Sequence, residues 1–334
     1  MHVGRHYPLK DVFFWTIRET LVFLALGLTP PVLATLGVPL PHLPWPPVAL
    51  VGTAVAFVTG FKGNAAYNRL WEARQIWGGI VNASRAWSNL VHGFVPDGAA
   101  DDKRTLLLRH IAWLTALRFQ LREPRSWESM ELPHNRAYQE ANFQLPERTE
   151  KVMERLIPLL VPDEIDKLGL VKNRAAHVLA LQGETLTRLA REGVTEQRHV
   201  ELERCLATLY DLQGRCERIK NFPYPRQYAT MNLVFVWILI GLLPFAVYSQ
   251  LSELGSPLFW LTTPTTVLIA WLFHTMDKVS DSSENPFEGS ANDTPITTMS
   301  RAIEIDLREM ARTRGLSGLD PVPPPHPVEH LIQV

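Results

Sequence analysis

Thr53, Phe57 and Phe61 are spaced four apart in a stretch, residues 20–61, that holds no Asp, Glu, Lys or Arg. At that spacing a helix stacks the three side chains on one face. A hydroxyl and two benzyl rings make and break no bonds here. What they can set is how readily water wets that face, because bulky apolar constrictions close by dewetting. Lys62 follows at once and puts a positive charge beside the rings. On spacing alone, packing between helices is the simpler use for the two phenylalanines. Bond-changing chemistry has no candidate of its own. The chain carries no nucleotide-binding glycine loop, no Gly-x-Ser-x-Gly elbow and no His-Glu-x-x-His pair. Its histidines are scattered, and single ones such as His110 or His177 read as packed or surface residues. Cys205 and Cys216 are too few for a disulfide framework and read as reduced, packed thiols. A formal net charge of −1, with no basic strip, points to no nucleic-acid partner. The expectation is a protein that is not an enzyme.

The elements that must hold this face are membrane helices. About 20 mainly apolar residues are needed to cross a bilayer core. Residues 20–61 are long enough for two crossings, joined by the proline-rich turn around Pro39, Pro41, Pro44, Pro46 and Pro47, with Trp45 at interface depth. Pro30–Pro31 predicts a bend or split in the first crossing. Residues 228–248 and 258–276 form a second pair, with a kink expected at Pro244 and a turn over 250–257. Arg5, Lys10 and Arg18 precede the first crossing, and Lys62, Arg69 and Arg74 follow the second. Arg215, Arg218, Lys220 and Arg226 precede the third, and Lys278 follows the fourth. Neither short turn holds a Lys or Arg, so both hairpins point out of the cytoplasm and both termini lie inside.

Between the two pairs, apolar residues recur at spacings of three and four, as at Leu70, Trp71, Ile76, Trp77, Ile80 and Val81, and no alternating strand pattern appears. The chain therefore reads as all-α, with four transmembrane helices and a large cytoplasmic helical domain. The expected divisions are 1–64, a first hairpin; 65–221, the cytoplasmic body; 222–277, a second hairpin; 278–312, a cytoplasmic C-terminal segment; and 313–334, a Pro- and Gly-rich disordered tail.

Two signatures flank the crossings. Gly60-Phe-Lys-Gly-Asn-Ala-Ala-Tyr-Asn-Arg-Leu-Trp-Glu-Ala-Arg-Gln-Ile-Trp-Gly78 follows the second, and Glu284-Asn-Pro-Phe-Glu-Gly-Ser-Ala-Asn-Asp293 follows the fourth. Together with the charge layout they resemble the bestrophin family, in its bacterial branch. Residues 219–228, entering the third crossing, look like the family's segment there as well. The resemblance implies a homopentamer in the bacterial inner membrane, with one axial pore lined mainly by the second crossing. It implies that Thr53, Phe57 and Phe61 form the pore neck, three rings when five copies surround an axis. Gly52, Ala54, Ala56, Gly60 and Gly63 on other faces would let helices approach closely. Thr53 departs from the branched apolar residue common at that ring, and so would wet more easily. Tyr224, between Pro223 and Pro225, falls where the family has a second constriction at the cytoplasmic aperture. The C-terminal segment, with Ile296, Met299, Ile303 and Leu307 on one stripe, is expected to wrap a neighbouring subunit.

Calcium takes six to eight oxygens, several of them charged. The acidic run that supplies them in eukaryotic relatives is degraded here, leaving Asn285 and Asp293 as weak metal candidates, so no cofactor and no calcium gating are expected. The function implied is passive conduction of monovalent ions, anions such as chloride favoured, with Lys62 as a possible pore charge. The alternatives are a monovalent-cation-selective homologue and a membrane-anchored signalling or scaffold protein that conducts nothing.

Overall fold

The structure, a computed structural model, describes residues 4–130, 132–142, 145–255 and 257–324, with residues 134 and 141 described by their backbone only. Every regular element among the described residues is helical. Helix α1 spans Leu9–Thr35 and α2 spans Trp45–Phe94. The body follows as α3 (Ala100–Arg122), the short helices α4 (Pro133–Asn142), α5 (Pro146–Thr149), α6 (Val152–Leu156) and α7 (Pro162–Gly169), then α8 (Arg174–Arg191) and α9 (Glu196–Asn221). The chain returns to apolar sequence in α10 (Arg226–Ser252) and α11 (Thr262–Ser283), and ends in α12 (Ile296–Thr313).

Two cores result. Phe23, Val48, Val55, Val236, Leu239, Ile240 and Leu243 form the one shared by α1, α2, α10 and α11. Trp77, Trp87, Leu107, Trp113, Leu117, Leu179 and Leu209 belong to the larger one, built by the lower part of α2 with α3, α8, α9 and α12. Helix α2 serves both. At about 1.5 Å per residue its 50 residues make a rod of about 75 Å. It opens on Pro46 and Pro47, where a missing amide proton costs nothing. The expected division at 64/65 therefore falls inside one unbroken helix.

The helix is not split at Pro30–Pro31, and α1 runs through it to Thr35. Pro31 cannot donate to the Gly27 carbonyl, and that carbonyl instead accepts from Thr263 Oγ1 at 3.1 Å. Helix α10 likewise stays helical across Pro244. By length and composition α1, α2 and α10 are long and apolar enough to cross a membrane. Helix α11, richer in threonine, packs against all three.

At the C-terminal end, the stripe and the tail both find partners within the chain. Helix α12 spends its apolar stripe on its own chain, burying Ile296, Ile303, Leu307 and Ala311 in the body core. The tail is ordered where it is described. Leu319 is buried, Leu316 packs beside it, and Arg308 Nη1 donates to the Asp320 carbonyl at 3.1 Å. Those two leucines give the Pro- and Gly-rich segment something to bury. Residues 325–334 of the expected tail lie outside the described residues.

Candidate functional site

Thr53, Phe57 and Phe61 lie on one exposed face of α2. Phe57 is 67% exposed and Phe61 57%, and their rings meet edge to face at 4.5 Å between centroids and 88°. That geometry suits the ring quadrupole, with a positive edge against a negative face. Thr53 turns its hydroxyl back to the Ala49 carbonyl at 2.9 Å, which leaves its methyl outward. The exposed line continues in both directions, to Leu50 above and to Tyr67 and Trp71 below. On the opposite face Val48, Val55, Thr59 and Lys62 are buried.

Lys62 is thus a correction. It is 3% exposed, with Nζ 2.6 Å from Asp277 Oδ1 and 2.7 Å from Asp281 Oδ1. One residue past Phe61 is about 100° further round the helix, which aims Lys62 at α11 and away from the ring line. The pair extends into a chain. Asn232 Nδ2 donates to Asp277 Oδ1 at 2.6 Å, and Thr59 Oγ1 donates to Asn232 Oδ1 at 3.0 Å. Helices α2, α10 and α11 are tied together by it just behind the two phenylalanines.

Two turns further on, Arg69 plays a second tying role. Its Nη2 and Nη1 donate to the carbonyls of Ile219 and Phe222 at 2.9 and 2.8 Å, and its Nε to that of Glu284 at 2.8 Å. The last carbonyls of a helix lack partners within it, and a cation there also meets the negative end of the dipole. One guanidinium therefore closes the ends of α9 and α11 against α2. The segment it holds leads straight into Tyr224, which is half-buried, its ring 6.4 Å from that of Tyr228. Arg226 Nε donates to the Tyr224 carbonyl at 2.9 Å, and Arg226 also pairs with Glu284.

The loop after α11 does not fit a calcium ion. Asp293 is 1% exposed and already engaged. Arg122 Nη1 reaches its Oδ2 at 3.1 Å, the Gly289 amide donates to Oδ2 at 2.6 Å, and Ser290 Oγ donates to Oδ1 at 2.5 Å. The guanidinium supplies the positive charge that a cation would bring. Asn285 is buried, its backbone carbonyl accepting from the Glu288 amide at 3.3 Å. Gly289, at φ 98°, makes the turn that brings these groups together. Among the described residues, no three or more His, Cys, Asp or Glu side chains converge as a metal group would need. Glu288 is fully buried beside this loop, accepting from the Ser129 amide at 2.8 Å and Ser129 Oγ at 2.7 Å. Burial and the nearby Asp293 carboxylate push Glu288 well above the usual carboxylate range.

A family model described as Bacterial/Fungal Bestrophin protein matches residues 9–309 of the chain. The chain belongs to the bestrophin family. This bestrophin is 27% identical over 309 residues to the voltage-dependent anion channel-forming protein YneE of Salmonella typhi, covering 92% of this chain and 89% of that one. The YneE protein of Escherichia coli K12 is 28% identical over 265 residues, 79% of this chain and 76% of its own. A crystal structure of a mutant of a bacterial bestrophin homologue from Klebsiella pneumoniae shares the fold. Its TM-score is 0.71 at 24% identity, over 90% of this chain and 98% of that one.

Sequence reasoning did not supply the partners of Lys62 and Asp293 in this bestrophin. Asp277 and Asp281 are four apart and so share a face of α11, and they fall at the same end of a crossing as Lys62. That coincidence was a readable signal. Nothing local ties Arg122 to Asp293, 171 residues away.

Proposed function

We propose that this bestrophin is a passive ion channel. Copies of the chain, five by the resemblance, surround an axis and present the Thr53, Phe57 and Phe61 rings to it as a hydrophobic neck. Tyr224 narrows the cytoplasmic aperture. The four crossings are α1, α2, α10 and α11, in the bacterial inner membrane, with both termini in the cytoplasm. The observation that carries this reading is the Phe57–Phe61 pair, edge to face and exposed in line with Thr53 on a helix whose other side is packed. Anions such as chloride are the favoured cargo. The relatives named as voltage-dependent anion channel-forming proteins support this, as does the positive rim that an edge-on phenylalanine offers an anion. Lys62, buried against two aspartates, contributes nothing to that preference. No calcium dependence is expected, because Asp293 is committed to Arg122.

The test is recording from the purified protein in planar bilayers under a chloride salt gradient. The reversal potential should move toward the chloride potential, and a calcium chelator should leave the currents unchanged. Replacing Phe57 and Phe61 by Ala should raise the current about ten-fold or more, since widening and wetting the constriction removes its barrier. Reversal at the sodium or potassium potential would make the channel cation-selective. Background conductance in both proteins would favour a scaffold.

A further inference from the structure

Away from the ring line, a cavity of about 390 Å³ opens between the start of α1, α4, the end of α11 and the loop at 290–292. That volume lies within the range of small-molecule sites. Three aromatic side chains, Tyr7, Trp15 and Tyr138, contribute to its walls, and the Tyr7 and Tyr138 rings lie 6.4 Å apart at 57°. Two amide oxygens of the wall are already engaged. Tyr7 donates to Asn292 Oδ1 at 2.9 Å, and Trp15 Nε1 donates to Asn135 Oδ1 at 3.1 Å. Asp11 is different. It lines the cavity half-buried, and its carboxylate has no hydrogen bond or ion pair among the described residues.

No Lys, Arg or His lines this cavity among the described residues. Three cations on the flanking helices have contacts of their own. Lys278 sits 4.7 Å from the centroid of the Trp15 ring and is bound to the Trp15 carbonyl at 2.6 Å and to Glu19 at 3.1 Å. Arg136 is exposed and pairs with Glu140 at 3.0 Å. Lys10 lies 6.0 Å from the centroid of the Phe14 ring. The cavity thus combines a carboxylate without a bound cation among the described residues with the rings of Tyr7 and Tyr138, beside a Trp15 ring that already carries Lys278. A phosphate or carboxylate ligand would meet repulsion from Asp11 and no Lys, Arg or His among the described lining residues.

We propose that this cavity binds an organic ammonium group, with Asp11 as its counter-ion and Tyr7, Trp15 and Tyr138 as its walls. The ammonium could belong to an aminophospholipid headgroup or to a free amine. The chemistry is the same for both. The position favours neither, because the cavity lies where α1 and α11 meet the cytoplasmic end of the membrane segments.

Binding to the full-length protein in detergent decides between them. Native mass spectrometry would measure retention of an ethanolamine-headed phospholipid against a glycerol-headed one with the same acyl chains. Calorimetry would measure free ethanolamine. The expected result is that one of these ammonium probes binds, and that Asp11→Asn weakens it about ten-fold while Asp11→Glu recovers part of the loss. Ammonium lipid retained without a response to free ethanolamine assigns a lipid site. A response to free ethanolamine assigns a soluble amine. Equal retention of both lipids with no response to free ethanolamine overturns the proposal, and so does unchanged binding in Asp11→Asn at an unchanged melting temperature. Should Asp11→Asn fail to fold, Tyr138→Leu carries the same comparison, and unchanged binding there overturns the aromatic wall.

Discussion

His110 lies wholly inside the body, stacked on Trp87 at 6.2 Å and tilted against Trp113 at 5.1 Å, with Nε2 2.9 Å from Ser84 Oγ. Burial pulls its pKa down to about 3 from 6.5. An unfolded chain takes up a proton at the ordinary value, and the folded one does not until the pH is far lower. Between those values the unfolded state binds more protons, so stability is full above about pH 6.5 and falls as the pH drops toward 3. The loss is on the order of 5 kcal/mol across that window. Glu288 works the other way. Its raised pKa contributes stability that is present below the ordinary glutamate range and is lost as the pH rises through the raised value. Melting curves of His110→Gln against the parent from pH 4 to 7 should show a shallower acid slope in the variant. The sequence reading of His110 as a packed or surface residue leaves this consequence out, because the burial comes from tertiary neighbours such as the two flanking indoles. Lys62 is the second case at this scale. Lys62→Met would leave Asp277, 2% exposed at its side chain, without its cation. Removing one partner of a buried pair costs about 3–5 kcal/mol. The variant should melt markedly lower in detergent, and adding Asp277→Asn should recover part of the loss.

At the scale of elements, the crossing of α1 and α11 depends on Gly27. A methyl added there would sit 3.1 Å from the Thr263 carbonyl oxygen and 3.2 Å from the Thr263 Cα. Both are backbone atoms that cannot rotate away. Close approach of this kind is how small residues join membrane helices. It also delivers Thr263 Oγ1 to the Gly27 carbonyl that Pro31 leaves free. Gly27→Leu should therefore separate the helices and lower stability by about 1–3 kcal/mol. Gly27→Ala should cost less. The midpoint of thermal unfolding, followed by tryptophan fluorescence, checks both. Apolar run length and Lys and Arg placement made α1, α2 and α10 legible, since both report directly on the bilayer as solvent. Proline rules misread α1 because they consider one helix at a time, and the missing donor came from another, 236 residues away. The unbroken length of α2 was hidden for a similar reason. The change from apolar to charged sequence at Lys62 marks a change of surroundings and carries no signal for the backbone to stop.

At the scale of the molecule, the exposed line on α2 runs past the end of the apolar stretch. Leu50, Phe57 and Phe61 lie within it, while Tyr67 and Trp71 lie beyond it, among Arg69, Glu72 and Arg74. Tyr67 and Trp71 are 57% and 49% exposed, and their rings stack at 6.4 Å and 11°. In the proposed channel the upper residues of this line face the axis rather than lipid. Lipid cannot cover the lower two, because that part of the helix is already packed into the polar body, with Ala73, Ile76 and Trp77 in its core. A protein surface is the natural cover for two stacked aromatic rings at that level, and a second copy of the chain brings one in register with the rings above. Aromatic residues at such contacts carry a large share of association energy. Replacing both Tyr67 and Trp71 by Glu should therefore shift mass photometry of the detergent-purified protein from the parent's mass toward smaller species. Phe57→Ala with Phe61→Ala should leave the mass unchanged if, as proposed, those rings line the axis while Tyr67, about 120° round the helix from Phe61, meets a neighbour. If the Tyr67 and Trp71 variant keeps the parent mass while the Phe variant dissociates, the two stretches have exchanged roles. The lower rings would then line open water, and the upper ones would be the glue between subunits.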